Sequence, residues 1–267
     1  MTMMKKLFLF LVYAFAAFGI LLTVVFFAVK FGLTNGSGII DSQRNAFLKE
    51  ISVSEPIWTE GEEWAVLKEA IIRDREALNR AGAVSDISPR LIVAQLVVEQ
   101  LRLFHSNREL FKTVFAPLKV LGNQSQFSWG VMGIKQDTAR DIEKNLKDKN
   151  SPFYLGPEYE HLLDFTTDNP DEERFMRIID ENNRYYSYLY ASLYMKQLLK
   201  QWQNAGFDIS NRPEIASTLY NIGFENSHPN SAPKAGGSEI TIDTTTSSFG
   251  ALAREFYDSQ ELIEYFH

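Results

Sequence analysis

The stretch SPRLIVAQLVVEQLRLF, residues 88–104, decides the fold class of this chain. Ser88 is a typical N-cap residue, and the proline after it fits the first helical position, where no backbone N–H is needed. Nearly every residue from Leu91 to Val98 is apolar, which is typical of a helix buried on more than one side. The sequence therefore predicts a buried helix that ends near Phe104.

Helical patterns also occupy most of the chain on both sides of this stretch. Apolar residues recur at three- and four-residue steps, and long segments contain neither glycine nor proline. Further helices are predicted over 62–82, 108–120, 138–145 and 175–202, and the best strand signal lies at 239–244. The sequence therefore predicts one mainly α-helical domain over residues 61–267.

The chain begins with a segment that predicts a membrane anchor. Residues 7–29 contain no charge, and about 20 apolar residues suffice for a helix to cross a hydrocarbon core about 30 Å thick. A cleaved secretory signal is the alternative, but it would have a shorter apolar core and a small-residue cleavage site. Two lysines before the segment and one after it favour a cytoplasmic tail at 1–6 and an exported domain. The polar run TNGSG at 34–38 and the weakly patterned sequence with Pro56 predict a linker at 30–60.

The charge and the cysteine content of the chain limit which partners, metals and cofactors it is expected to bind. Without the three lysines of the first 30 residues, which contain no acid, 24 basic and 34 acidic residues remain, a formal charge of −10. An acidic domain is a poor partner for nucleic acid or anionic lipid surfaces. Because cysteine is absent and the four histidines share no metal-ligand spacing, the sequence predicts no disulfide, no metal site and no cofactor.

Glu99 is the first candidate for chemistry. It is a lone carboxylate near the end of the apolar stretch, between Val98 and Leu101. Desolvation there would raise its pKa and keep it protonated near neutral pH, as a general acid requires. The structural alternative is an ion pair with Arg102 three residues later, or a side chain directed to solvent.

Two later stretches could line a site with Glu99. Gly130 and Gly133 let the backbone approach a ligand or a packed helix closely, although a tight turn before a helix would also explain them. Tyr220 and Asn221 could hydrogen-bond a polar ligand, with Gly223 giving the chain a left-handed exit from a helix. The structural alternative for this second stretch is a helix stop.

Taken in chain order, these stretches resemble the lysozyme-like lytic transglycosylases of bacterial cell walls. That family has a catalytic glutamate near the end of a buried helix, a Gly-Leu-Met-Gln-Ile-x-Pro-x-Thr-Ala segment, a Tyr-Leu-x-x-Leu-Leu helix and an Ala-Tyr-Asn-x-Gly turn. The counterparts here are Glu99, Gly130-Val-Met-Gly-Ile134 with Thr138-Ala139, Leu193-Tyr-Met-Lys-Gln-Leu-Leu199 and Leu219-Tyr-Asn-Ile-Gly223. The resemblance covers roughly residues 88–235, and it departs from the family at Gly133, where the family has glutamine.

The resemblance implies a membrane-anchored peptidoglycan lytic transglycosylase with a lysozyme-like helical fold and no cofactor. Glu99 would act as general acid and then base at the β-1,4 bond between N-acetylmuramic acid and N-acetylglucosamine, leaving 1,6-anhydro ends. The residues implied to contact the glycan strand are Ser128, Gly130, Met132, Gln136, Tyr220 and Asn221.

Three alternatives to this function stay open. A lysozyme-type hydrolase could use the same fold and the same glutamate. A catalytically inactive peptidoglycan-binding or assembly protein is favoured by the departure at Gly133. A membrane-anchored interaction domain unrelated to sugars would have no cleft around Glu99.

Overall fold

Helices packed around the predicted buried stretch form the architecture. The structure, a computed structural model, describes residues 56–60, 62–105 and 130–266. Its helices are α1 (Glu62–Arg73), α2 (Arg75–Ser85), α3 (Pro89–His105), α4 (Gln136–Lys147), α5 (Pro170–Ile179), α6 (Tyr185–Asn204), α7 (Pro213–Ile222) and α8 (Phe249–Asp258). Strands β1 (Glu239–Ile242) and β2 (Thr245–Ser248) pair as an antiparallel hairpin. For the described residues, the predicted mainly α class is confirmed.

Several sequence predictions fall on other parts of the chain. The tail at 1–6, the membrane anchor at 7–29, most of the linker at 30–60 and the helix at 108–120 lie outside the described residues. Within the described ranges, no helix is both long enough and apolar enough to cross a membrane. Internal contacts group Pro56–His267 into one compact unit, which contains the predicted domain at 61–267.

Helix α3 is buried on several sides, as its sequence predicts. Every side chain from Leu91 to Val98 is at most 5% exposed. The helix packs against α1, α2, α6, α8 and β1. Because full burial of one aliphatic side chain stabilises a protein by about 1.5–3 kcal/mol, this packing stabilises the position of α3, which carries Glu99 near its end.

Arg90 fastens the start of α3 to the end of α8. Its guanidinium donates hydrogen bonds to the carbonyl oxygens of Phe256, Tyr257, Ser259 and Glu261, at 2.6 to 3.1 Å. The last carbonyls of a helix have no partner within the helix, and a cation there also matches the helix dipole. One buried side chain therefore joins the C-terminal part of the chain to α3.

A polar turn divides the long helix predicted over 175–202. That prediction is wrong at residues 180–184, which separate α5 from α6. The Asp180 carboxylate accepts hydrogen bonds from the backbone N–H groups of Asn182 and Asn183, at 2.9 and 3.1 Å. Such local side-chain bonds compete with helical backbone bonds, so the chain turns here.

The helix predicted over 62–82 is interrupted at Asp74, and its second part continues to Ser85. The Asp74 carboxylate accepts hydrogen bonds from the Tyr188 hydroxyl at 2.7 Å and from Arg184 at 2.9 Å. Burial would raise the pKa of Asp74, but the hydrogen bonds from two arginines and Tyr188 lower it. The junction between α1 and α2 is thereby joined to the start of α6.

The segment from Gly223 to Ser238 folds back on α7 and α8. The Gly236 N–H donates to Thr218 Oγ1, and the Gly250 N–H donates to the Gly236 carbonyl, both at 2.9 Å. A Cβ at Gly250 would lie 2.3 Å from Thr218 Oγ1, so glycine is needed where α8 meets α7. These contacts fix the segment beside the end of α7.

Glu173 holds the loop that precedes α5. Its carboxylate accepts hydrogen bonds from the backbone N–H and hydroxyl groups of Thr166 and Thr167, and it pairs with Arg177. Burial alone would raise the pKa of Glu173. The hydrogen bonds from Thr167 and Thr166 outweigh burial and lower the pKa from 4.5 to about 2.

We expect Glu173→Gln to lower the melting temperature at neutral pH, because the charged acceptor of these bonds is lost. Since the folded pKa lies below the ordinary value, the carboxylate stabilises the fold fully above about pH 4.5 and loses this effect as the pH falls toward 2. Thermal unfolding across that range should show a shrinking difference between the native protein and the variant. Glu181→Gln is the control, since Glu181 is exposed and has no polar partner among the described residues. A difference that does not change with pH would contradict this prediction.

Candidate active site

A cleft of about 200 Å³ opens where α3, the start of α4 and the end of α7 meet. We call it the Glu99 cleft. Its lining residues are Glu99, Arg102, Gly133, Ile134, Lys135, Thr138, Tyr194, Tyr220, Asn221, Ile222, Gly223 and Ser238. Three stretches that are far apart in the sequence therefore meet at one groove, represented by Glu99, Gly133 and Tyr220.

A larger cavity of about 280 Å³ lies between α4 and the segment at 160–165. Both carboxylate oxygens of its Glu143 are held, by Arg174 and by the hydroxyl of Tyr190, each at 2.6 Å. Arg174 is only 4% exposed, so this group is a buried structural ion pair. None of the residues that the sequence singles out lines this cavity, and we place the candidate chemistry in the Glu99 cleft.

The Glu99 side chain is buried and paired. Its side chain is 4% exposed, and Arg102 donates to Oε2 from Nη2 at 2.6 Å and from Nε at 3.2 Å. Burial disfavours an ionised carboxylate, whereas an adjacent cation favours it. The structure therefore combines the burial expected of a general acid with the Arg102 pair of the structural alternative.

Gly133 brings the backbone against the Glu99 carboxyl group. Its φ of +65° lies in the left-handed region. A Cβ at this position would be 2.8 Å from Oε2 and 3.0 Å from Cδ of Glu99. Only glycine fits both the backbone conformation and the close approach, which gives a physical reason for glycine at this departure from the resembling family.

Tyr220 links α7 to the turn that carries Gly133. Its hydroxyl donates to the Met132 carbonyl oxygen at 2.8 Å, and its ring centroid is 4.9 Å from that of Tyr194. Burial raises the pKa of Tyr220 well above 10.0, and the charge of Glu99 acts in the same direction. Tyr220 is therefore a neutral phenol that orders one wall of the cleft.

Asn221 has a structural contact at the cleft rim. Its Oδ1 accepts hydrogen bonds from the backbone N–H and the hydroxyl of Ser238, at 2.8 and 3.0 Å. Its Nδ2 contacts no acceptor among the described residues. The amide oxygen thus fixes the segment that follows α7, and the amide nitrogen can donate to a ligand.

The other predicted sugar contacts that the structure describes do not line the cleft. A Cβ at Gly130 would lie 2.3 Å from the Ile178 carbonyl oxygen, so this glycine allows close packing against α5. The Met132 side chain is fully buried, and its carbonyl oxygen is bound by Tyr220. Gln136 begins α4 without lining the cleft. Ser128 lies outside the described residues.

Sequence reasoning missed several lining residues. Tyr194 lies inside a stretch that carries the resemblance, but the sequence does not distinguish it from the other tyrosines of the same helix. Lys135 precedes α4 and Ser238 follows a pair of glycines, and neither has a local signal. Their positions depend on how distant segments pack.

We expect Tyr220→Phe to lower the free energy of unfolding by about 1 kcal/mol, because the buried bond to the Met132 carbonyl is lost. Chemical denaturation measures this loss. Tyr159→Phe is the matched control, since the Tyr159 hydroxyl has no hydrogen bond within the described ranges. Equal stability of the two variants would contradict the role given to the Tyr220 hydroxyl.

In the part of the chain that the structure describes, no group of three histidine, aspartate or glutamate side chains could hold a metal ion. No protein-family model, curated protein or solved structure matches the chain. The geometry of the Glu99 cleft, together with the residues that carry the resemblance, is therefore the basis for a functional proposal.

Proposed function

We propose that the protein is a membrane-anchored peptidoglycan lytic transglycosylase with a lysozyme-like helical domain. The observation that carries this proposal is a buried glutamate on the end of α3 that lines a cleft with Gly133 and Tyr220. The same three residues belong to the stretches that resemble the family, in the same chain order. A cleft around Glu99 also argues against an interaction domain unrelated to sugars.

Cleavage would begin with a proton transfer from Glu99. Protonated Glu99 donates its proton to the glycosidic oxygen, the bond from that oxygen to C1 of the muramic residue breaks, and an oxocarbenium-like centre develops. The N-acetyl group of the substrate assists at that centre, as the family resemblance implies. Glu99, now a base, accepts the proton of the C6 hydroxyl while O6 bonds to C1, which closes the 1,6-anhydro ring.

Three features of the cleft suit this role. The Glu99 side chain is only 4% exposed, and such a desolvated position is what a general acid requires, while its pair with Arg102 has to open before the first step. Asn221 can direct its amide N–H toward the N-acetyl group or a hydroxyl of the sugar. Tyr220 contributes indirectly, because it holds the turn that presses Gly133 against the carboxyl group.

The ion pair with Arg102 favours a second candidate, a peptidoglycan-binding or assembly protein without catalysis. In that case Glu99 stays ionised and the pair is purely structural. A lysozyme-type hydrolase is a variant of the first proposal, in which water instead of the C6 hydroxyl attacks C1.

The proposed location is the cell membrane. The apolar segment at 7–29 would anchor the chain, and the domain would lie on the periplasmic or extracytoplasmic side, where the glycan strands are. An anchor keeps an enzyme that cuts the wall beside its substrate.

Mass spectrometry of products from purified peptidoglycan tests the proposal with the full-length protein in detergent. A transglycosylase yields 1,6-anhydro ends, which are lighter by one water than the reducing ends of a hydrolase. Reducing ends alone would replace the proposal by the hydrolase. Retention on the wall without any cleavage would favour the binding protein.

A further inference from the structure

A turn at residues 130–133 is hydrogen-bonded by two helices through neighbouring carbonyl groups. We call it the glycine turn, because it begins and ends with glycine. The Gln100 side chain of α3 donates from Nε2 to the Val131 carbonyl oxygen at 2.6 Å. The Tyr220 hydroxyl of α7 donates to the next carbonyl oxygen, that of Met132, at 2.8 Å. The glycine turn is therefore joined to both helices that carry the Glu99 cleft.

Buried side chains fix the place of the glycine turn, but they do not fix the orientation of its peptide groups. The side chains of Met132 and of Ile134, just after the turn, are at most 2% exposed. The hydrophobic effect is non-directional, whereas a hydrogen bond requires its donor and its acceptor to face each other. The bonds from Gln100 and Tyr220 therefore set the direction in which two successive peptide groups face.

The orientation of these two peptide groups determines how Gly133 meets Glu99. Gly133 follows them directly in the chain, and a Cβ at this residue would lie 2.8 Å from Oε2 and 3.0 Å from Cδ of Glu99. Backbone atoms at such a close approach limit the positions that the carboxyl group can take. Since Gln100 is the neighbour of Glu99 on α3, one helix carries both the carboxyl group and the side chain that holds the backbone beside it.

We infer that Gln100 is a positioning residue of the Glu99 cleft: its amide holds the glycine turn, and the turn fixes the Glu99 carboxyl group for the proposed proton transfer. This inference rests on the proposed function. Gln100 is not among the described residues that line the cleft, so it acts through the turn and not on the glycan strand. It is also not among the residues that the resemblance assigns to the site.

Loss of the bond from Gln100 should affect activity more than stability. Gln100 and Val131 are both half-buried, so water can replace the amide as the donor to the Val131 carbonyl. Water satisfies the carbonyl, but it does not tie the turn to α3. Displacement of a catalytic group by about 1 Å can lower a rate by about a hundredfold, and we expect about a tenfold effect for a turn that Tyr220 still holds.

Gln100→Met tests the inference with the full-length protein in detergent and purified peptidoglycan. The variant keeps a flexible side chain of similar length and removes the donor. We expect kcat for the release of anhydro ends to fall about tenfold, with KM and the melting temperature close to native. Gln201→Met is the matched control, since Gln201 also donates from its amide to a backbone carbonyl, that of Ser227 at 3.1 Å, and is not among the described lining residues. The control should have native kcat per folded molecule.

The double variant with Gln100→Met and Tyr220→Phe tests whether both bonds hold the same turn. Because their acceptors are neighbouring peptide groups, the two losses in kcat should be coupled. The double variant should therefore lose less than the product of the two single losses. A folded Gln100→Met variant with native kcat, or single losses that simply multiply, would overturn the inference and leave the proposed function standing.

Hydrogen exchange followed by mass spectrometry tests the hold on the turn without any measurement of activity. We expect faster exchange in peptides that cover the glycine turn for Gln100→Met, and native exchange there for Gln201→Met. If the native protein releases no product from peptidoglycan, the proposed function fails and this comparison decides whether Gln100 positions the turn. Faster exchange in the Gln100→Met variant alone would support that role, and native exchange in that variant would overturn it.

Discussion

Replacement of Glu99 by glutamine is expected to lower kcat for glycan cleavage by about 10²- to 10⁴-fold, the usual contribution of general acid and base catalysis. Glutamine has nearly the same shape as glutamate, and its amide oxygen can still accept a hydrogen bond from Arg102. The variant should therefore fold normally, and glycan binding should persist. The loss would be confined to proton transfer, because an amide cannot supply the proton that the leaving oxygen needs.

Initial rates of anhydro-end release measure this effect, with circular dichroism as the check on folding. Glu264→Gln is the control, because Glu264 is exposed and lies outside the Glu99 cleft. The account predicts native rates for the control. A folded Glu99→Gln variant with native kcat would remove Glu99 from the mechanism.

Gly133→Ala is expected to lower kcat/KM by about tenfold to a hundredfold, since displacement of a catalytic group by about 1 Å can have an effect of that size. The added Cβ would stand 2.8 Å from Glu99 Oε2, inside normal contact distance. Either the carboxyl group or the turn after Gly130 has to move. The left-handed backbone at this position adds a strain of about 1–2 kcal/mol for any residue with a Cβ.

Gly206→Ala separates the two effects of this substitution. Gly206 also has a positive φ, +85°, but a Cβ there would have no atom of another residue within 4 Å among the described residues. Both variants should lose stability through backbone strain, whereas only Gly133→Ala should lose activity beyond the loss of folded protein. Equal specific activities of the two folded variants would contradict the claim that Gly133 positions Glu99.

The buried helix could be predicted because every local signal agrees. The N-cap at Ser88, the proline after it and the apolar run from Leu91 to Val98 all favour the same element, and the structure has α3 over Pro89–His105. The strand signal was equally local, and it forms β1 of the hairpin. When local propensity and hydrophobic pattern agree in this way, the secondary structure of a segment can be predicted without knowledge of its tertiary contacts.

The break after α5 has a local signal in the sequence. The prediction of one long helix over 175–202 gave more weight to the absence of glycine and proline. The run Asp180-Glu-Asn-Asn183 contains two residues, Asp180 and Asn183, whose short side chains accept hydrogen bonds from nearby backbone N–H groups. This polar run favours a break at 180–183, and thus two helices instead of one.

The functional assignments of the glycines depended on tertiary contacts. Gly130 and Gly133 have the same left-handed backbone and lie three residues apart, yet one faces the end of α5 and the other faces Glu99. The partner of each glycine comes from a different element, so spacing alone could not distinguish packing from a site. The orientation of Arg102 toward Glu99 was open for the same reason, since residues three apart on a helix can pair or diverge.

The central claim is that Glu99 in this cleft transfers the proton that cuts the glycan strand. The most direct measurement compares the native protein with Glu99→Gln on purified peptidoglycan and counts 1,6-anhydro ends by mass spectrometry at equal concentrations of folded protein. The account predicts abundant anhydro ends from the native protein and almost none from the variant. Anhydro ends at the same rate from both proteins, or from neither, would contradict it.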